Sequence, residues 1–129
     1  MYRWRSAALL SAWVAGSCGG EDSTAPRPAC TGAVTVAATR EVVPLVTWTP
    51  NCAVAALQVD GPPSLQPVVD VRWAVRGGTA GIASGVRLGV VPSGAVQETA
   101  PRDLSGSGLI VRVFGADGVF LGSTQTDVP

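Results

Sequence analysis

The stretch Val71-Arg72-Trp73-Ala74-Val75-Arg76 sends Val71, Trp73 and Val75 to one side of an extended chain, and Arg72 and Arg76 to the other. Successive side chains of a strand point to opposite faces, so this period of two marks a strand buried on one face only. The logic returns over residues 86–90, with Arg87 outward, and over residues 109–114, where Leu109, Val111 and Val113 oppose Arg112 and Phe114. Residues 31–39, 43–49, 53–60 and 119–126 read as further strands, with Leu57 and Val59 sharing one face. Pro50-Asn51, Gly61-Pro62-Pro63 and Pro92 end three of the segments. Asp117-Gly118 is a hairpin signal, because both central residues of the tight turn need positive φ. Residues 93–108 read as one long polar connection, and no window holds a helical period. Seven short strands at near-regular spacing predict an all-β chain, a single antiparallel β-sandwich of about seven strands over residues 30–129.

The first 29 residues follow another pattern. Arg3 and Arg5 precede an apolar run, residues 7–15, far below the roughly 20 residues a spanning helix needs. It suits the core of an export signal, about 7–15 residues. Small residues Ala15, Gly16 and Ser17 then lead to Cys18. This resembles a bacterial lipoprotein signal, in which Gly16 and Ser17 occupy tolerated positions and Cys18 is the acylated residue. Ala15 stands where Leu, Val or Ile is usual, and Ala15-x-Ser17 also satisfies ordinary signal cleavage, which would release a periplasmic or secreted product. A helix buried in the fold is the third reading, opposed by the arginine-rich start and the Gly19-Gly20 end. The resemblance implies a signal peptide over residues 1–17, and a membrane partner reached through lipid on Cys18. It implies a place in the bacterial cell envelope, the outer membrane in view of Gly19. Residues 18–29, polar and rich in Gly and Pro, read as a flexible tether.

Cys18, Cys30 and Cys52 make an odd number. If Cys18 carries lipid, Cys30 and Cys52 remain as a pair, which an exported compartment allows to oxidise. Two buried free thiols are the alternative. A metal pair is disfavoured, since two sulfurs with no histidine fall short of tetrahedral zinc.

The chain has nine arginines, nine acids, no lysine and no histidine. Loss of Arg3 and Arg5 with the signal leaves seven arginines against nine acids, a net charge of −2. No basic footprint for nucleic acid is present, and the scattered arginines read as solvated strand faces. Histidine-dependent general base catalysis and Ser-His-Asp or Ser-Lys nucleophiles are excluded by composition. Zinc, haem and iron–sulfur ligand sets are missing too, so no cofactor is expected. Glu98 and Asp103 are the candidate pair for carboxylate-only glycosidase chemistry, weighed against two solvated loop acids. Asp60, Asp70 and Asp117 are scattered calcium candidates without a dense acidic string. Gly77-Gly78-Thr79-Ala80-Gly81 lacks the Gly-Lys-Ser/Thr ending of a phosphate loop. Trp48 and Trp73 alternate in phase with apolar neighbours and read as core.

The segment Leu45-Val46-Thr47-Trp48-Thr49-Pro50 resembles the second strand of a fibronectin type III domain, and Leu109-x-Val111-x-Val113 its penultimate strand. Leu109 stands where that family has a tyrosine. The resemblance implies a fibronectin III-like or immunoglobulin-like sandwich. Together these readings lead to the expectation of a non-catalytic, membrane-anchored envelope lipoprotein, a protein-interaction, adhesion or assembly module. The alternative is a carbohydrate- or small-ligand-binding cell-surface protein. Recognition is expected in the loops 61–70, 77–85 and 92–108.

Overall fold

A computed structural model describes residues 27–63 and 69–129. The signal-like stretch, Cys18 and the tether up to residue 26 lie outside the described residues. Eight strands follow in order: β1 (Thr35–Ala38), β2 (Leu45–Thr49), β3 (Ala56–Asp60), β4 (Val71–Arg76), β5 (Val86–Arg87), β6 (Val96–Thr99), β7 (Gly106–Phe114) and β8 (Phe120–Val128). They form two sheets, ordered β1-β2-β5 and β6-β4-β3-β7-β8. All the strand pairings are antiparallel. Among the described residues there is no α-helix, and no helix is long and apolar enough to cross a membrane.

The inner faces share one core. Val36, Val46, Trp48 and Val86 come from the smaller sheet; Leu57, Val59, Trp73, Val75, Val111 and Val113 come from the larger. Trp73 and Val75 of β4 are fully buried while Arg76 is exposed, as their alternation requires. Each such apolar side chain contributes about 1.5–3 kcal/mol on burial. Both core indoles are hydrogen-bonded. Trp48 Nε1 donates to the Cys52 carbonyl at 2.7 Å and Trp73 Nε1 to Gln97 Oε1 at 3.0 Å. An unpaired indole N–H would cost about 1–3 kcal/mol.

The β7–β8 hairpin closes at Asp117-Gly118, with φ of 61° and 74°. Val119 N donates to the Ala116 carbonyl across this turn. Nearby, Val34 N donates to the Leu121 carbonyl at 3.0 Å, joining the head of β1 to β8 and closing one side of the two sheets. Gly122 permits that approach, since a Cβ there would collide with the Val34 carbonyl oxygen.

Several boundaries differ from expectation. There are eight strands rather than about seven, because β6 lies within the supposed connection over 93–108. Its residues Val96-Gln97-Glu98-Thr99 are exposed or half-buried, since an edge strand needs no apolar face to pair. β5 stops after two residues; Gly89, two residues on, has φ of 84° and turns the chain. β7 begins at Gly106 and β8 continues to Val128. Ala53 and Val54 precede β3 and make isolated bridges to Ala29 and Ile82.

Cys30 and Cys52 form a disulfide, with Cα atoms 5.0 Å apart. It joins the segment before β1 to the link between β2 and β3. Cys30 N donates to the Ala53 carbonyl and Ala53 N to the Pro28 carbonyl, each at 2.9 Å. Pro28, assigned by composition to the tether, is therefore hydrogen-bonded into the domain, and Ala29 is bridged to Ala53 between those two bonds.

Candidate functional site

The outer face of the five-stranded sheet carries the chemistry. On β3 the outward residues are Ala56, Gln58 and Asp60. Register places Arg76 and Ala74 of β4 beside the first two, and Phe114, Arg112 and Ile110 of β7 beside all three.

At the Asp60 end this face is a charge cluster. Asp60 is 2% exposed. Its Oδ1 accepts from Gln58 Nε2 at 2.8 Å, and its Oδ2 lies 2.7 Å from Arg112 Nε. The Arg112 N–H is not directed at that oxygen, so the contact is coulombic rather than a hydrogen bond. Arg72 Nε donates to Asp70 Oδ2 at 3.1 Å and Arg72 Nη1 to the Asp103 carbonyl at 2.9 Å, while Arg102 pairs with Asp70 Oδ1. The Arg102 backbone N–H donates to the Arg72 carbonyl, which draws the segment before β7 across β4. The arginines of this face are thus not simply solvated: the Arg72 side chain keeps only 15% exposure.

Hydrogen bonds from Arg72 and Arg102 hold the Asp70 carboxyl below the usual carboxylate range. A carboxylate with a lowered folded pKa stabilises the fold above its unfolded pKa, and the gain is lost as pH falls through the folded value. Asp70→Asn is therefore expected to lower the melting temperature at pH 7. Thermal unfolding should show wild type and variant converging as the pH falls through and below the ordinary carboxylate range. A gap that persists unchanged at pH 2 would refute the assignment.

At the other end lies an open cleft of about 490 Å³. Ala55 and Ala56 form its floor and leave the space above them unfilled. One wall is the ion pair of Arg76 Nη2 and Glu98 Oε2, 2.5 Å apart. The facing wall is Phe114, with Asp117 at the hairpin tip above it. Phe120 packs edge-on against Phe114 with ring centroids 6.1 Å apart, and is itself 54% exposed. Gln58 lines the cleft and links it to the Asp60 cluster.

Glu98 lies on β6, not in a loop, and is paired with Arg76; Asp103 sits 3.8 Å from Arg72. Those two arginines are four residues apart on β4, about 13 Å along the strand. Asp60 and Asp70 face arginines and Asp117 stands in the hairpin turn. Among the described residues no three His, Cys, Asp or Glu side chains gather to hold a metal. Residues 77–81 form a tight turn, with Gly81 N donating to the Gly78 carbonyl. Trp48 and Trp73 are core residues, 3% and 0% exposed. Cys18 lies outside the described residues.

Of the loops where recognition was expected, residues 92–108 reach the cleft through Glu98, while Arg76 and Phe114 lie on strands. The cleft's legible signals are Phe114, in phase with outward Arg112, and the acids Glu98 and Asp117; the empty floor at Ala55-Ala56 has no signature of its own. Comparison with family models, curated proteins and solved structures finds no match.

Proposed function

We propose that the chain is a bacterial envelope lipoprotein, held to a membrane by lipid on Cys18, whose sandwich serves as a non-catalytic interaction, adhesion or assembly module. One observation carries this reading: Cys30 and Cys52 are joined to each other. The third cysteine, Cys18, follows Ala15-Gly16-Ser17, where a lipoprotein signal requires its acylated residue. The polar residues between Cys18 and Pro28 then form a spacer between anchor and domain.

For the domain we infer a fibronectin III-like or immunoglobulin-like arrangement. The order β1-β2-β5 opposite β3-β7-β8 follows strands A-B-E opposite C-F-G of immunoglobulin-type sandwiches, with β4 beside the C position. Strand β6 is an addition to that plan. A rigid scaffold that presents a face and loops, with acids matched to arginines, suits binding better than catalysis.

The anchor is tested by expressing the chain in a bacterium that processes lipoproteins and separating membranes from soluble fractions. Wild type is expected in the membrane fraction and Cys18→Ala in the soluble fraction. Blocking the lipoprotein signal peptidase should make the precursor accumulate. Membrane retention of Cys18→Ala would overturn the reading.

A further inference from the structure

The cleft over Ala55 and Ala56 has a chemistry that narrows its ligand. We propose that it binds a neutral pyranose ring of a glycan, the C–H face of the sugar against Phe114 and its hydroxyls on the Arg76–Glu98 pair. This deepens the interaction-module reading by naming the class of partner.

Three features carry it. Arg76 and Glu98 offset one another, so together they offer donors and acceptors side by side with no net charge, which suits vicinal hydroxyls. Asp117, at the rim, is in none of the ion pairs among the described residues, and its uncompensated charge disfavours phosphate, sulfate or carboxylate ligands. A cationic ligand finds Glu98 already taken by Arg76 and is left with Asp117, an exposed carboxylate whose pairings in water are worth only about 0–1 kcal/mol. What remains is an uncharged molecule with one apolar face and several hydroxyls. Phe114 is half-buried and braced by Phe120, so its ring is held in place before any ligand arrives. The floor has no side-chain atom beyond Cβ, which leaves about 490 Å³, room for one or two rings.

The test is titration of the full-length chain in zwitterionic micelles, chosen so that no sugar-headed detergent competes, followed through backbone amide NMR signals. Cellotriose and N,N′,N″-triacetylchitotriose are the neutral probes and trigalacturonate the anionic one. At least one neutral trisaccharide is expected to shift the amides of Ala55, Ala56, Arg76 and Gly115, with a dissociation constant on the order of 1 mM. Phe114→Ala should weaken it about tenfold. Because Phe114→Ala also removes packing, Ala56→Leu serves as a second variant: it fills the cleft while leaving both walls in place, and should abolish the shifts. No response to either neutral sugar at about 20 mM overturns the proposal. So do shifts confined to other surfaces, equal binding of trigalacturonate, or unchanged affinity in Ala56→Leu. Such a failure leaves the anchor unaffected, since fractionation of Cys18→Ala reads that separately.

Discussion

Arg112→Met is expected to destabilise the domain by about 3 kcal/mol, because it strands a buried carboxylate. Asp60 is almost wholly inaccessible, and without Arg112 its remaining side-chain partner among the described residues is Gln58. Breaking a buried pair from one side costs about 3–5 kcal/mol; the 37% exposure of the Arg112 side chain places this case at the lower end. The pair itself contributes little net stability. Neither facing atom makes a hydrogen bond, and desolvation offsets most of the attraction. Asp60→Leu combined with Arg112→Met should therefore recover most of the loss. Urea unfolding of the four proteins in a double-mutant cycle measures this, with an expected coupling of about 2 kcal/mol. Arg112→Met within about 0.5 kcal/mol of wild type would show that Asp60 does not depend on the pair.

Removing the disulfide should have an effect of similar size. Cys30 and Cys52 are 22 residues apart, and closing such a loop removes about 3 kcal/mol of unfolded-chain entropy. The bridge also holds the link between β2 and β3, whose Cys52 carbonyl accepts the Trp48 indole N–H. The Cys30→Ala, Cys52→Ala double variant is expected to lose about 3 kcal/mol, lowering the urea midpoint by about 2 M. Its near-ultraviolet circular dichroism should change as Trp48 loosens. An unchanged midpoint would mean that Ala29–Ala53 pairing alone fastens this segment.

Where a strand is buried on one face and open on the other, its sequence carries the pattern. Residues 71–76 and 109–114 were legible for that reason, and both tryptophans fall in the core as their phase requires. The Asp117-Gly118 turn was legible because left-handed backbone restricts which residues can occupy it. β6 was not, since an edge strand pairs through its backbone and leaves no apolar signature in Val96-Gln97-Glu98-Thr99. Its place beside β4 comes from a partner some 20 residues earlier in the chain, and Gln97 meets the Trp73 indole only in that register.

The charged residues divide in the same way. Composition alone removed histidine and lysine chemistry, because an absent side chain can do nothing in any fold. Alternation alone settled the all-β class and which faces turn inward, because a period of two is a property of the local backbone. Whether an outward residue meets water or another chain segment is not local. The segment before β7 crosses Arg72, Arg112 reaches Asp60 from the adjoining strand, and Glu98 meets Arg76 across the sheet edge. Burial of Asp60 and the open floor at Ala55-Ala56 both arise from neighbours distant in sequence, so only the tertiary structure decided them.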